Sequence, residues 1–283
     1  MALRSSRSHL FQHITKSVRA IWQKTAFHPD IAIILGTGLG NLTKQVAQKA
    51  VIPYESIPHF PRSTVESHAG RLLFGILGGK KVVIMDGRFH YYEGYTLDQV
   101  TFPVRVLRKL GAKILIVSNA AGGLNLNYKK GELVLIEDHI NLMGVNPLIG
   151  LNDDRLGVRF PDMSEPYSKR LLQIAEKAGQ ERRMHLKRGV YLGISGPNLE
   201  TRAEYRFLRG IGADLIGMST VPEVIVGVHS GFEILGISVV TDVCDPDHLE
   251  PVNIEEIIKT ANQAGPKLDQ LVESVVQKLP HVR

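Results

Sequence analysis

Residues 114–123 read ILIVSNAAGG, in which the apolar run Ile114–Val117 passes at once into Ser118-Asn119-Ala120-Ala121-Gly122-Gly123. A short run rich in Ile and Val with no polar alternation predicts a strand buried on both faces, as in mostly parallel sheets covered by helices. The pattern recurs in both directions along the chain. Ile31–Leu35 runs into Gly36-Thr37-Gly38-Leu39-Gly40, Lys81–Met85 into Asp86-Gly87-Arg88-Phe89-His90, and Val190–Ile194 into Ser195-Gly196-Pro197-Asn198-Leu199-Glu200. Asp214–Gly217 leads to Met218-Ser219-Thr220, and Ile234–Val240 to Thr241-Asp242. Between these runs, helical spacing marks Leu97–Leu110 (ended by Gly111), Lys169–Ala178 (ended by Gly179) and Ile254–Lys278. No repeat, charge block or Ser/Pro-rich linker divides the 283 residues. The expectation is a single α/β domain over 1–283, a mixed, mostly parallel β-sheet flanked by helices. Ligands of open α/β sheets bind beyond the carboxyl ends of the strands, and here those ends carry the chemistry-bearing residues. One site built by many loops is expected.

Composition narrows the function classes. The chain is 43% hydrophobic and 22% charged, which provides a core and excludes intrinsic disorder. One cysteine, Cys244, excludes an intrachain disulfide and a multi-thiolate zinc site and fits a reducing compartment, so a cytoplasmic protein is expected. No apolar run reaches membrane-spanning length, and no membrane role is expected. Thirty-four Lys+Arg against 28 Asp+Glu leave a net charge of +6. Those cations are scattered rather than gathered on one face, which argues against nucleic acid as a partner. The N-terminus is the exception: Arg4, Arg7, Lys16, Arg19 and Lys24 all precede the first acid, Asp30. A transit peptide would look similar, but Leu10, Ile14, Val18, Ile21 and Trp22 recur at helical spacing. That spacing predicts an amphipathic helix within residues 1–28, packed on the body.

Several segments carry chemistry. Gly36-Thr37-Gly38-Leu39-Gly40 follows a strand and is expected to open a helix; it reads equally as an anion-cradling loop or as a tight turn without a ligand. Its glycine spacing is not the dinucleotide fingerprint and it has no Walker lysine, which argues against a nucleotide-cofactor oxidoreductase. Arg88 and His90, two apart in an extended segment, share a face able to grip an oxyanion, and Glu93 is placed to orient the His90 ring. The alternative is a surface loop with a salt bridge. His68 alone reads as an ordinary loop histidine. Asp245, Asp247, His248 and Glu250 match no metal-ligand spacing and lie between Pro246 and Pro251, so no metal is expected. Pro197 stands where a nucleophile elbow requires glycine, which argues against serine-hydrolase chemistry.

Gly-Arg-Phe-His-x-Tyr-Glu-Gly at 87–94, Thr-Phe-Pro-Val-Arg at 101–105, Asn-Ala-Ala-Gly-Gly-Leu at 119–124 and Gly-Met-Ser-Thr-Val-Pro-Glu at 217–223 occur in order. Asp138-His139-Ile140-Asn141-Leu142, Asn146-Pro147-Leu148 and Arg159-Phe160-Pro161 lie between them. These segments resemble the trimeric purine nucleoside phosphorylases over nearly the whole chain. The resemblance implies phosphate-dependent cleavage of purine (2′-deoxy)ribonucleosides to free base and (deoxy)ribose 1-phosphate. It implies no cofactor or metal, inorganic phosphate being a co-substrate, and a homotrimer. By resemblance, phosphate is held by Thr37, His68, Arg88, His90, Ser219 and the Ala120 N–H. Tyr92 and Met218 line the ribose, with Ile254 near its 5′ end and Phe160 reaching the ribose of a neighbouring subunit's site. The purine lies among Ala121, Leu199, Glu200, Ile216, Thr241 and Asp242. His90, Glu200 and Asp242 are the groups expected to act in catalysis.

The departures concern substrate choice. Thr37 and Leu199 stand where the family commonly has Ser and Phe, and Asp242 where the 6-oxopurine enzymes commonly have Asn. An ionised Asp242 only accepts, which suits a 6-amino group; protonated, it can donate to N7. Ile254 replaces a polar contact to the 5′-hydroxyl. Thr37, Asp242 and Ile254 lean towards the methylthioadenosine phosphorylases, whereas Glu200 fits acceptance of N1–H and a 2-amino group. Inosine and guanosine are the expected substrates, with 6-aminopurine nucleosides or 5′-methylthioadenosine as the alternative.

Overall fold

The Ile/Val runs form the centre of a nine-stranded sheet in a computed structural model that describes residues 9–36, 40–62 and 69–280. The strands are β1 (Ile31–Ile34), β2 (Ala47–Pro53), β3 (Arg71–Leu77), β4 (Lys80–Asp86), β5 (Ile114–Gly123), β6 (Leu133–Asn141), β7 (Lys187–Gly193), β8 (Leu215–Gly217) and β9 (Glu233–Val243). They lie in the order β2-β3-β4-β1-β5-β8-β7-β6-β9. β1–β4, β1–β5, β5–β9, β6–β7 and β7–β8 pair in parallel; β2–β3, β3–β4, β5–β8 and β6–β9 are antiparallel. The helices are α1 (Leu10–Trp22), α2 (Leu97–Lys109), α3 (Lys169–Glu181), α4 (Arg202–Gly210), α5 (Val221–His229) and α6 (Ile254–Lys278).

Side chains of a strand point alternately to its two faces, so each buried run feeds two cores. Ala32 and Ile34 of β1, Val83 and Met85 of β4, and Leu115 and Val117 of β5 join one core with α1, α2 and α5. Ile31, Ile33, Val82, Ile84, Ile114 and Ile116 join the other, with α3 and α6. A third, smaller cluster lies under α4, where Tyr205 and Leu208 meet Leu124, Ile216 and Cys244. α1 packs Ile14, Val18 and Ile21 against the first core, whereas Trp22 is 42% exposed beside His28.

The structure departs from the sequence expectation in four places. The sheet is not simply open: the β5–β9 pairing closes β5-β8-β7-β6-β9 into a ring. Asn119–Gly123 and Thr241–Val243 are therefore strand rather than loop. The helix after the glycine-rich segment is 3-10, at Gly40–Gln45. Gly179 does not end α3, which continues to Glu181; a Cβ at Gly179 would lie 2.6 Å from Leu186 Cδ1, so the glycine sits in close packing rather than at the helix end.

α6 begins with an Asn253 cap whose Oδ1 accepts from the Glu255 and Glu256 N–H groups at 3.0 and 3.2 Å. Further along, Asp269 is only 2% exposed, its Oδ1 has no hydrogen-bond partner, and Lys44 is the charge that faces it. Burial raises its carboxyl from 3.8 to about 7. The folded chain thus holds a proton that the unfolded chain releases between those values, so this residue's contribution to stability falls as pH rises from about 4 to 7. Asp269→Asn is expected to raise stability at pH 8 by on the order of 1–3 kcal/mol, with the gain vanishing near pH 4. Thermal unfolding of both proteins across that range checks it.

Candidate active site

β4 delivers Asp86-Gly87-Arg88-Phe89-His90 to the carboxyl end of the central sheet, and the Tyr54 hydroxyl holds the turn by donating to the Gly87 carbonyl at 2.7 Å. The Arg88 guanidinium is buried and must be satisfied from within. Its Nη1 donates to Ser219 Oγ at 3.0 Å and to Thr220 Oγ1 at 3.4 Å, and its Nε faces Glu223 Oε1 at 3.3 Å. Glu223 Oε2 accepts the Thr220 N–H at 3.0 Å. That bond supports a backbone conformation rare for a β-branched residue, since Thr220 has a φ of 67°. Asn119 on β5 completes the cluster, its Nδ2 donating to Thr220 Oγ1 at 2.9 Å. Beside it, Glu93 Oε1 accepts the His90 N–H at 2.7 Å and lies 2.9 Å from its Nδ1, fixing the ring, which stacks on Tyr92 at 4.7 Å between centroids. Gly36, at the end of β1, is required by close approach to β5: a Cβ there would lie 2.8 Å from Asn119 Cα.

The opposite end of the cleft is built by β5, β9 and the residues after β7. Pairing of β5 with β9 shifts register between Ala121, opposite Val240, and Gly122, opposite Asp242. Thr241 is the extra residue, and such a bulge re-aims neighbouring side chains. Consecutive Thr241 and Asp242 therefore both line the cleft. The Thr241 hydroxyl lies 2.9 Å from Asp242 Oδ1 and 3.2 Å from the Ala121 carbonyl. Glu200 precedes the Thr201 cap of α4; its Oε1 is buried without a hydrogen-bond partner, and burial raises its carboxyl above the usual carboxylate value. Glu204, Asp242 and Tyr205 are the ionisable groups that face it.

Together these elements enclose a cleft of about 860 Å³. It is lined by Arg88, His90, Tyr92, Ala120, Ala121, Leu199, Glu200, Ile216, Met218, Ser219, Thr241, Asp242 and Ile254. Of the other residues expected there, Thr37 and His68 lie outside the described residues. Phe160 does not line the cleft of its own chain and is 84% exposed. Among the described residues, no group of three or more His, Cys, Asp or Glu could hold a metal ion; His248 instead pairs with Asp245 and Arg206 with Asp247. No described helix is long and apolar enough to cross a membrane.

Sequence reasoning gave no role to Glu223, Tyr205 or the Cys244 thiol. Glu223 sits in the first turn of α5 amid otherwise apolar residues that mark burial, and a carboxylate in such a setting signals a buried cation nearby. Tyr205, spaced three from Leu208 on α4, reads as core, and Cys244 was informative only for redox.

Residues 30–277 match the family described as the Phosphorylase superfamily. Purine nucleoside phosphorylase 1 of Geobacillus stearothermophilus is 49% identical over 266 residues, which cover 94% of this chain and 97% of the relative. The purine nucleoside phosphorylase of Mus musculus is 45% identical over 279 residues, 95% of this chain and 96% of the relative. The crystal structure of Schistosoma mansoni purine nucleoside phosphorylase in complex with inosine is similar with a TM-score of 0.91 at 41% identity, covering 96% of this chain and 98% of that one. The structure of the schistosome protein in complex with adenosine has the same values. With the fold, the cleft and the sequence in agreement along the chain, it belongs to the purine nucleoside phosphorylases of the phosphorylase superfamily.

Proposed function

We propose that the chain cleaves purine ribonucleosides and 2′-deoxyribonucleosides with phosphate, inosine and guanosine preferred, releasing the free base and (deoxy)ribose 1-phosphate. The observation that carries this reading is the polarity of one cleft, with a buried guanidinium, an imidazole and hydroxyls at one end and two carboxylates at the other. Breaking a glycosidic bond leaves positive charge on the sugar and negative charge on the purine. Phosphate is the nucleophile, so the protein's task is to position it below the anomeric carbon and to stabilise charge on the base. Arg88, His90, Ser219 and the Ala120 N–H hold phosphate, joined by Thr37 and His68; Tyr92 and Met218 bracket the ribose. Ala121, Leu199 and Ile216 pack the purine, with Thr241 at its edge. Ionised Glu200 accepts N1–H and the 2-amino group, and Asp242 faces N7 and the 6-position. No step needs a metal or cofactor. A cytoplasmic place in purine salvage, without nucleic-acid or membrane partners, follows from this reading and from the lone buried cysteine.

The working unit is a homotrimer in which Phe160 completes a neighbour's ribose site. The support is a loop carrying exposed Ile149, Leu151, Val158 and Phe160, an apolar surface unusual for a monomer. The loop is anchored from behind: Arg105 Nη1 lies 3.0 Å from His229 Nδ1, and His229 Nε2 lies 3.3 Å from Asn152 Oδ1. A second reading, favouring 5′-methylthioadenosine, is supported by Ile254, Ile257 and Ile258, which make an apolar wall of the cleft.

Base release from inosine, guanosine, adenosine and 5′-methylthioadenosine, each assayed with and without phosphate, tests the reading; strict phosphate dependence with the fastest turnover on inosine and guanosine is expected. Arg88→Ala should raise the KM for phosphate at least about tenfold, since a charge-assisted grip is removed. Glu200→Ala should lower kcat/KM for inosine roughly 100-fold, the cost of losing a hydrogen bond to a charged group. Because burial raises the Glu200 carboxyl, wild-type kcat/KM for inosine should decline on the acid side from a pH above the ordinary carboxylate range, and Glu200→Gln should lack that decline. Phe160→Ala should raise the KM for inosine several-fold while sedimentation still shows trimers, since one ring adds about 1–2 kcal/mol of contact.

A further inference from the structure

The carboxylates at the base end of the cleft are linked by two side chains that the functional reading leaves without a role. Cys244 follows β9, is buried, and donates its backbone N–H to the Gly123 carbonyl at 2.8 Å. Its Sγ lies 3.3 Å from Asp242 Oδ2, with the thiol as donor. Burial pushes the thiol up, so it keeps its proton at neutral pH. On the other oxygen, the Thr241 hydroxyl is closer to Asp242 Oδ1, at 2.9 Å, than to the Ala121 carbonyl, at 3.2 Å. The space for this arrangement is left by Gly122: a Cβ there would lie 2.8 Å from Cys244 Sγ and 3.5 Å from Asp242 Oδ2. The Tyr205 hydroxyl faces both the Cys244 thiol and the Glu200 carboxyl, extending the link to the second carboxylate.

A carboxyl group that accepts on both oxygens is set as an acceptor, and each oxygen keeps a lone pair for a ligand. We propose that Cys244 is a specificity-determining positioning residue, whose thiol acts with the Thr241 hydroxyl to hold Asp242 as an acceptor turned to the base, so that the site takes 6-aminopurine nucleosides beside the 6-oxopurine nucleosides of the proposed function, on which this inference rests. An exocyclic 6-amino group supplies the N–H that such a carboxylate lacks, whereas a 6-oxo group presents lone pairs to it. Glu200 and Asp242 thus pull selectivity in opposite directions, the first towards N1–H of a 6-oxopurine and the second towards the 6-amino group. The thiol completes the second pull: Thr241 restrains Oδ1 and Cys244 restrains Oδ2, so that the carboxyl group is held at both oxygens.

The test is steady-state phosphorolysis of adenosine and inosine by the wild type and by two variants. Cys244→Val keeps the volume and removes the donor; Cys244→Ser keeps a donor. The wild type is expected to cleave both nucleosides. Cys244→Val should lower the ratio of kcat/KM for adenosine to that for inosine about fivefold or more, the effect of one hydrogen bond, and Cys244→Ser should retain the ratio within about twofold. A purely structural role would reduce both activities together and leave the ratio unchanged. An unchanged ratio in Cys244→Val, an equal loss in Cys244→Ser, or a wild type active on inosine but not adenosine would overturn the inference and leave the functional reading standing. A wild type inactive on both would remove the reading and the inference with it.

Discussion

Burial of the Arg88 guanidinium is the constraint on which the site depends. A cation removed from water must be met by an opposite charge and by hydrogen-bond acceptors, or the fold loses several kcal/mol. Here one carboxylate answers the demand in three ways. Glu223 neutralises Arg88 through Oε1, accepts the Thr220 N–H through Oε2, and thereby fixes the first turn of α5. The positive φ of Thr220 costs roughly 1–2 kcal/mol, and it turns the Thr220 hydroxyl towards both Arg88 and Asn119. β4, β5 and α5 consequently converge on a single cluster. With Glu223 beside it, the guanidinium keeps an oriented array of N–H donors where it lines the cleft.

The base end rests on different physics, the geometry of backbone pairing. β5 and β9 run parallel over nearly their whole lengths, and their pairing closes the five-strand ring. Closure removes strand edges but crowds the strands where β8 also joins β5. Gly122 and Gly123 occupy that crowded stretch: a Cβ on Gly123 would lie 3.0 Å from Val240 Cγ1, and one on Gly122 would meet Cys244 and Ile216. The bulge at Thr241 relieves the register mismatch and turns two consecutive polar residues to one side. The small residues of Asn-Ala-Ala-Gly-Gly therefore serve strand closure and cleft formation together.

What was legible in the sequence follows from these two kinds of constraint. β1, β4, β5 and β9 are legible because both faces of their central stretches are buried, which gives runs dominated by Ile, Val and Leu without polar alternation. β2 did not, since it lies at the sheet edge with mostly exposed residues and no continuous apolar run. Ring closure was invisible because a pairing between β5 and β9 leaves no local signal in either strand. Gly179 misled for a related reason: a glycine packed against Leu186 inside a helix looks, in sequence, the same as one that ends a helix. Arg88, His90 and Glu93 were legible by spacing and strand position, whereas Tyr205 and Cys244 were not, because their polar atoms meet Glu200 and Asp242 only through the third core cluster.

The two ends of the cleft also differ in enclosure, and that difference has a functional logic. Arg88, Asn119, Thr220 and Glu223 are buried, and each is held by at least one other member of the cluster. Leu199 and Ile254, away from that cluster, are exposed by 41 and 58%. Electrostatic stabilisation of a developing charge requires dipoles fixed before the reaction begins, so under the proposed function the Arg88 end has to be rigid and interdependent. A residue there cannot change without leaving a buried charge or donor unsatisfied. Choice among bases and 5′ substituents is a smaller energetic task, on the order of 1–3 kcal/mol per contact, and rim side chains can alter it singly without unsettling the cluster. Leu199 and Ile254 lie on this tolerant rim, while Asp242 is met by Thr241 and Cys244, which donate to its two oxygens from the protein side.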